Sequence, residues 1–443
     1  MALTAGPAAR ARRRPHPAWG VAAVTFATLL AAGAFRSVPG TLIAPMSADL
    51  GWSVASISAA VSVNLVLYGL IAPFAAALMG RFGVQRVVTV ALLLVAAGGA
   101  GSAVVEARWQ LVATWGVLVG VGTGSMAMSL AATVVGRWFV ARRGLVTGVL
   151  AAAASAGQLV FLPLVAHLAQ AHGWRVPSLV VAAVALAVVP LVLLLLHERP
   201  ADRGVAAYGA GPQTGSGPAP VTPARALTAF AALRLAVRHR AFWFLAAGFA
   251  ICGATTNGLI GTHFVSAAHD HGMPATTAAS LLALVGLFDV VGTIASGWLT
   301  DRVDARYLLL AYYALRGVSL LLLPSVLAPG VDPATWVFVV FYGLDWIATV
   351  PPTIALCREH FGDAGAVVFG WVFASHQLGA ALAAFLAGAV RDATGDYAGA
   401  FLGAGALCLV AAALSLLVGR RADGAPPVTA PAPVGEPSAP VPR

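Results

Sequence analysis

Long apolar runs, separated by short polar breaks, dominate this chain. A helix needs roughly 20 consecutive apolar residues to cross the hydrocarbon core of a bilayer. Runs of this kind recur twelve times, near residues 18–45, 53–78, 87–105, 109–135, 144–168, 176–197, 241–268, 275–299, 307–328, 333–356, 366–388 and 397–419. Only 9% of the 443 residues are charged and 60% are hydrophobic, whereas soluble domains carry about 25% charged residues. The composition excludes a water-soluble domain and predicts an all-α membrane protein with twelve transmembrane helices.

The positive charges are unevenly distributed along these predicted helices. All 26 basic residues are arginines, and 16 acidic residues oppose them, which leaves a net charge of +10. Loops rich in basic residues face the cytoplasm in membrane proteins. With the N-terminus placed inside, 21 arginines fall in inner segments, Arg36 and Arg316 fall within helices, and only Arg108, Arg175 and Arg391 lie in outer loops. The bias predicts that both termini are cytoplasmic, and we read the excess charge as topology rather than as nucleic-acid binding.

The chain divides into two halves of six predicted helices. A basic N-terminus (1–17) precedes the first bundle (18–198), a cytoplasmic linker (199–240) follows it, and the second bundle (241–420) ends in a tail (421–443) that we expect to be disordered. Within the linker, residues 204–224 are rich in Gly and Pro and are predicted to be disordered. Residues 226–240 are predicted to form a short amphipathic helix, either on the inner membrane surface or as an ordinary linker. Its apolar face would contain Leu227, Phe230, Leu233 and Val237.

Short motifs repeat between the two halves. Arg81-Phe-Gly83-Val-Gln-Arg86 follows the second predicted helix, and Asp301-Arg302-Val-Asp-Ala-Arg306 follows the eighth. Gln170-Ala-His-Gly173-Trp174 aligns with Asp392-Ala-Thr-Gly395-Asp396 further along the second half. Matching loops predict two pseudo-symmetric six-helix bundles, an arrangement that recurs in secondary transporters, which bind their substrate between the two halves.

The segment Gly297-Trp-Leu-Thr-Asp301-Arg302-Val-Asp-Ala-Arg306 resembles the loop signature of the major facilitator superfamily, G-x-x-x-D-R-x-x-x-R. The resemblance implies that Asp301 and Arg302 latch neighbouring helices at the inner face, as an ion pair or as part of a gate. In the first half, Gly80 stands where the family has its aspartate, so the resemblance does not extend to a latch there.

A narrower resemblance covers the start of the fifth predicted helix. Trp138-Phe139-Val-Ala-Arg142-Arg143-Gly-Leu145-Val-Thr-Gly148 is similar to the monocarboxylate-transporter signature, which bacterial oxalate/formate-type antiporters largely share. In that branch a basic residue in helix one and an Asp…Arg pair in helix eight handle the carboxylate and its proton. The resemblance implies these roles for Arg36 and Asp289, whereas Thr293 stands where the helix-eight arginine would be.

Four charged residues fall within the predicted helices: Arg36, Asp289, Arg316 and Asp345. Unpaired, they would cost together about 12 kcal/mol, so they require partners or water. Arg36 is interpreted as an anion-binding group, with snorkelling to the outer surface or a bond to a backbone carbonyl as the alternative. Asp289 is interpreted as a proton-carrying carboxylate, with a permanent ion pair to Arg316 as the alternative. Arg316 and Asp345 are predicted to form a structural interhelical pair.

Neutral polar residues at membrane depth extend the predicted substrate site. They occur in helices two, five, seven and eleven, and are Asn64, Tyr68, Gln158, Thr256, Asn257, His263, His376 and Gln377. Each could instead form a helix-to-helix hydrogen bond. Pro351-Pro352 predicts a kink in helix ten.

These features predict a secondary transporter for a small organic anion, by proton symport or anion exchange, as a monomer in a bacterial cytoplasmic membrane. Efflux of amphipathic drugs or metabolites is the alternative. The sequence contains no nucleotide-binding loop of the form G-x-x-x-x-G-K-[ST] and no spacing typical of an intramembrane enzyme or a metal site. We therefore expect no enzyme activity, cofactor or metal ion.

Overall fold

The computed structural model describes residues 16–52, 54–210 and 228–419, and twelve long helices account for most of them. In the first half these are α1 (Pro17–Leu50), α2 (Val54–Phe82), α3 (Val84–Ser102), α4 (Arg108–Trp138), α5 (Arg143–His172) and α6 (Arg175–Leu195). In the second half they are α7 (Arg240–Asp270), α8 (Ala275–Thr300), α9 (Ala305–Val326), α10 (Pro333–Asp345 and Val350–Phe361), α11 (Gly365–Thr394) and α12 (Ala398–Leu417).

Among the described residues, ten stretches are long and apolar enough to cross a bilayer, and one of them, Pro333–Thr394, contains two of the helices. Helix α5, with 30 residues, is not among those stretches, but its length is sufficient. The predicted helices are therefore present, with ends that differ from the predicted ones by a few residues. The predicted disorder of the tail and the basic segment 1–15 lie outside the described residues.

Two six-helix bundles follow the same packing plan. In the first, α1 packs on α5, α2 on α4 and α3 on α6, and in the second α7 packs on α11, α8 on α10 and α9 on α12. Two further pairs, α2 with α11 and α5 with α8, join the bundles. Shifting every helix number by six converts one set of contacts into the other, so the motif repeat in the sequence is matched by a repeat in the fold.

Glycines permit the closest helix approaches in corresponding places. A Cβ atom at Gly33 would overlap the carbonyl oxygen of Ala154, and one at Gly157 would overlap that of Leu30, so α1 and α5 pack backbone to backbone. In the second bundle, Gly253 and Gly379 do the same for α7 and α11. Lipid supplies no hydrophobic driving force between helices, so small residues that let the backbones pack closely stabilise such contacts.

Ion pairs and loops define two ends of the molecule. At one end, which we call the Asp49 end, Asp49 pairs with Arg175 at 2.6 Å, and Asp270 pairs with Arg391 at 2.9 Å. The opposite end, the Asp301 end, contains the start of α1 and the loop between α8 and α9. The Asp49–Arg175 pair joins α1 to α6, and the Asp270–Arg391 pair joins α7 to α11, so neither pair connects the two bundles.

The linker begins in an ordered conformation, which corrects the predicted disorder of residues 204–210. The Tyr208 backbone donates to the carbonyl of Trp138 at 2.8 Å and accepts from Val140 at 2.8 Å. Its ring packs edge-on against Trp19, with centroids 5.3 Å apart. A single aromatic residue thus anchors a segment whose composition predicts disorder, and residues 211–227 lie outside the described part of the chain.

The linker helix is Ala229–Ala236, shorter than predicted, and the face it buries also differs from the prediction. Ala229, Ala232 and Ala236 are buried, whereas the side chain of Phe230 is 65% exposed. The helix lies against α2 and α11, and the indole of Trp371 in α11 donates to the carbonyl of Ala229 at 2.9 Å. Close packing on α11 explains the alanine face, because larger side chains would hold the helix away.

Candidate functional site

The seam between α2 and α11 brings together two of the predicted site residues. The rings of Tyr68 in α2 and Phe373 in α11 meet edge to face, with centroids 5.7 Å apart. One turn further along α11, the aliphatic part of Gln377 packs on Gly69, where any larger residue would collide with it. Tyr68 and Gln377 therefore lie where the two bundles meet.

His376 lies next to this contact but inside the second bundle. It is buried between α7 and α11, stacked on Phe373 with ring centroids 5.9 Å apart and tilted against Phe249 at 4.9 Å. A chain of three rings therefore runs from Tyr68 through Phe373 to His376, from the first bundle into the second. This arrangement couples the packing of His376 to the position of α2.

Asp289 lies on the other seam, between α8 and α5. Its side chain is only 1% exposed, and the hydroxyl of Ser155 in α5 faces it from the first bundle. Its Oδ1 accepts from the Thr293 hydroxyl at 2.8 Å and from the backbone N–H of Ile347 in α10 at 2.9 Å. Thr293, at the position where the resemblance implies an arginine, is thus a neutral donor to the carboxylate.

Arg316 and Asp345 form the ion pair expected from the sequence. The Nε atom of Arg316 in α9 lies 2.6 Å from Oδ2 of Asp345 in α10, and both residues are buried. Arg316 also donates to the carbonyl oxygens of Asp345 and Trp346, at 2.5 and 3.2 Å. Since the guanidinium pairs with Asp345, the alternative of a permanent Arg316–Asp289 ion pair is wrong for this structure.

Arg316 is one of several side chains that satisfy a break in α10. Between Asp345 and Val350 the chain leaves the α-helical conformation, and the next half-helix begins at Val350 with Pro351 and Pro352 in its first turn, so the Pro-Pro sequence marks a break as predicted. The hydroxyl of Ser296 in α8 donates to the Ala348 carbonyl, and Thr349 contacts the sulfur of Cys252 in α7 at 3.2 Å. Backbone groups freed at membrane depth need such partners, since lipid offers none.

Asn64 and His263 make hydrogen bonds within their own bundles. The Asn64 amide donates to the Trp115 carbonyl in α4 at 2.9 Å. His263 contacts the Tyr397 hydroxyl through Nδ1 at 3.2 Å and the Ala384 carbonyl through Nε2 at 2.8 Å. These geometries match the alternative of helix-to-helix hydrogen bonding.

Two π-helical segments interrupt helices α4 and α7. One covers Val112–Val119 in α4, where Trp115 accepts from Asn64, and the other covers Ala254–Ile260 in α7. Asn257 lies in the second segment, and its backbone carbonyl accepts from Thr262 at 2.8 Å. The Thr256 hydroxyl turns back to the Cys252 carbonyl at 2.7 Å. The side chains of Arg36 and Gln158 lie outside the described residues, although α1 and α5 run through both positions.

Asp301 joins the two bundles at the Asp301 end. Its carboxylate accepts from the backbone N–H groups of Gly144 and Leu145, at 2.6 and 2.9 Å, and so caps the first turn of α5. A carboxylate at a helix N-terminus satisfies unpaired donors and complements the helix dipole. Arg302 takes no part in this contact between the bundles. Within the described residues it forms no ion pair. Its Cζ atom lies 3.9 Å from the centroid of the Trp298 ring, one turn earlier on the same helix.

The first bundle uses a different acid, which the sequence reasoning missed. Glu198, beyond the end of α6, accepts from the backbone N–H groups of Val84 and Gln85 at 2.7 and 2.8 Å, and pairs with Arg137 at 3.1 Å. Glu198 therefore caps α3 within its own bundle and does not reach the second one.

The family model described as Major Facilitator Superfamily matches residues 24–369 and 257–442. The chain therefore belongs to the major facilitator superfamily, and it is a multi-pass membrane protein that transports a small-molecule substrate. A mouse protein named monocarboxylate transporter 11 is 29% identical over 88% of this chain and 85% of its own length. A cattle protein named monocarboxylate transporter 13 is 28% identical, covering 89% and 88%.

Three further comparisons, one with a bacterial protein and two with solved structures, give the same picture. An uncharacterised MFS-type transporter of Bacillus subtilis (strain 168) is 24% identical over 92% of this chain and 95% of its own. The structure of the transporter FucP in the outward conformation superposes with a TM-score of 0.69, at 16% identity, over 90% of this chain and 99% of that one. The human organic anion transporter MFSD10 gives a TM-score of 0.68 at 17% identity, over 91% and 100%. These structural likenesses support the fold.

Proposed function

We propose that the protein is a secondary transporter that moves a small organic anion of the carboxylate class by alternating access, coupled to protons or to exchange of a second anion. The observation that carries the proposal is Asp289, a carboxylate buried on the seam between the bundles. Among the described residues, its hydrogen bonds come from neutral groups. Such a group can bind and release a proton as the seam opens and closes.

The charge balance of the second bundle favours proton coupling. Asp289 and Asp345 supply two carboxylates, and Arg316 supplies one guanidinium, all of them buried in the same bundle. Because an uncompensated charge at membrane depth is costly, one proton is needed to neutralise the set. Asp345 has its guanidinium partner, so the proton is assigned to Asp289. Arg36 would then supply the positive charge for the substrate carboxylate.

The names of the relatives support the same class of substrate. Several proteins that match most of this chain at 24–29% identity are named monocarboxylate transporters. Efflux of amphipathic drugs or metabolites is the second candidate, favoured by Thr293 in place of the helix-eight arginine and by the aromatic rings of Tyr68 and Phe373 at the seam.

We assign the Asp301 end to the cytoplasmic side, following the arginine bias of the loops. We place the protein in a bacterial cytoplasmic membrane. The contacts that join the bundles run from Asp301 to the level of Asp289 on one seam, and on the other from Trp371, which packs on Phe74, to Gln377, which packs on Gly69. With this end packed shut, substrate would enter from the Asp49 end.

The test is uptake into proteoliposomes containing the purified chain and an inward proton gradient. We expect saturable accumulation of labelled lactate, pyruvate or oxalate that Arg36→Ala abolishes, while Arg108→Ala, which changes an exposed outer arginine, leaves uptake unchanged. Export of cationic or neutral amphipathic compounds without carboxylate uptake would replace this function by the second candidate.

A further inference from the structure

Two arginines from opposite bundles converge at the Asp301 end. Arg143 begins α5 in the first bundle, and Arg358 lies in the last turn of α10 in the second. Both are partly buried, and Arg143 bonds to the Phe139 carbonyl just past the end of α4. The guanidinium of Arg358 reaches across to α4, where its Nη1 would lie 3.5 Å from a Cβ atom at Gly136. The pair therefore spans the boundary between the bundles.

Most of the hydrogen-bonding capacity of these guanidinium groups is unused. Arg143 donates through Nε to the Phe139 carbonyl, and within the described part of the chain Arg358 donates to no residue. Asp301 attracts Arg143 electrostatically, but it supplies no acceptor to the guanidinium, because both of its oxygens accept from backbone N–H groups of α5. Asp363 attracts Arg358 without bonding to it. Both guanidinium groups lie beside the end of α4, partly removed from water, and most of their N–H donors have no acceptor within the described residues, so an oxyanion that accepts from both would be favourable.

We propose that Arg143 and Arg358 bind an oxyanion, a carboxylate or a phosphate group, between the bundles at the Asp301 end. The planar fork of N–H donors on each guanidinium matches the oxygen pairs of such groups. Because the two arginines belong to different bundles, the bound anion joins them and favours the conformation closed at this end. The site goes beyond the proposed function, since it holds whichever substrate passes through the centre.

A simpler role for Arg358 makes a different prediction. A basic residue in the last turn of a helix interacts favourably with the helix dipole, and this needs no ligand. If that were its whole role, the stability of the protein would not depend on oxyanions through this residue. Binding measurements on the purified protein separate the two explanations without any transport assay.

The experiment is thermal unfolding of the full chain in a neutral detergent, titrated with inorganic phosphate or acetate against chloride at equal ionic strength. A ligand that binds the folded state raises the unfolding temperature by mass action. We expect phosphate to raise it for the wild type and for Arg86→Gln, an exposed arginine at the same end. In Arg358→Gln the apparent phosphate affinity should fall by about tenfold or more, which corresponds to the loss of one bidentate contact. Equal responses in all three proteins would overturn the proposal.

Further arms separate the sources of the anion and keep the test informative if one variant folds poorly. Arg358→Lys keeps the charge but loses the fork, and should weaken binding as Arg143→Gln does. Phosphatidylglycerol micelles that stabilise the wild type but not Arg358→Gln would identify a lipid headgroup as the oxyanion. If the response were lost in Arg36→Ala and kept in Arg358→Gln, the anion would belong to the central site and this proposal would be wrong, whatever the outcome for transport.

Discussion

Arg316 donates to Asp345 at two places, the carboxylate at 2.6 Å and the backbone carbonyl at 2.5 Å. One side chain therefore both neutralises the carboxylate and stabilises the break in α10. Breaking a buried ion pair by removing one partner costs about 3–5 kcal/mol. We expect Arg316→Met to be the more harmful change, since it also leaves two carbonyls without donors. Asp345→Asn keeps those bonds and should lose less. Thermal unfolding in detergent measures the order, and a larger loss for Asp345→Asn would contradict it.

Asp289→Asn tests the proton assignment. The amide has nearly the shape of the carboxylic acid but cannot release a proton, so the substitution should abolish uphill uptake driven by a pH gradient. Exchange of bound substrate for external substrate, which needs no net proton movement, should continue. Both are measured in proteoliposomes, with Asp392→Asn, an exposed aspartate, as the control. Uphill uptake that survives in Asp289→Asn would remove the assignment.

Asp301→Asn should weaken the closure of the Asp301 end. Two hydrogen bonds to a charged group are affected, each worth about 1.5–3 kcal/mol, so the closed population should fall roughly tenfold or more. Spin labels at Val140→Cys and Val303→Cys, exposed residues of opposite bundles, would report a longer distance. The three native cysteines are buried and should not compete for label.

The control for that measurement is Asp304→Asn. Asp304 accepts from the Arg306 backbone N–H at 3.0 Å and so caps α9 within its own bundle. It should leave the distance between the labels unchanged. Equal lengthening in both variants would mean that the helix caps affect folding in general rather than the contact between bundles.

Trp371→Phe tests the attachment of the linker helix. The ring remains, but the hydrogen bond to the Ala229 carbonyl, worth about 1 kcal/mol, is lost. Hydrogen exchange at residues 229–236 should accelerate roughly fivefold as local opening becomes easier. Trp336→Phe, at a largely lipid-facing position, should leave this exchange unaltered. Unchanged exchange in Trp371→Phe would indicate that the alanine face alone holds the helix.

Gly379→Ala should destabilise the second bundle by about 1–3 kcal/mol, because the added methyl group would overlap the Ala250 carbonyl. Gly403→Ala is the matched change in α12, where no atom lies within 4 Å of the new Cβ. Folded yield and unfolding temperature in detergent check the difference. Similar values for the two variants would contradict the close packing of α7 on α11.

The helices could be predicted from the sequence because the thickness of a bilayer sets the length of each apolar run. The Arg316–Asp345 pair was also predictable, since two opposite charges at one depth need each other. The other polar contacts were not. Ser296 reaches a carbonyl 52 residues away and Glu198 reaches an N–H group 114 residues away, and no local pattern encodes such distances.

The residues predicted to bind substrate show the same limit. Asn64 and Tyr68 are four residues apart and so share a face of α2, but this spacing does not reveal that they contact different helices. Asn64 bonds to Trp115 in its own bundle, and Tyr68 meets Phe373 in the other. The side that each residue contacts depends on where α4 and α11 approach α2, and this is set by glycines on helices distant in sequence.

The Glu198 cap has a consequence for how the transporter moves. Since this acid remains inside the first bundle, the two seams are closed by unequal means. The Asp301 carboxylate of α8 caps α5 on one seam, whereas α2 meets α11 through aromatic rings and a glycine contact, and the linker helix is bonded to α11. The weaker side should part first. We therefore expect the halves to rotate about an axis along α5 and α8, with the linker helix released early, rather than to separate evenly.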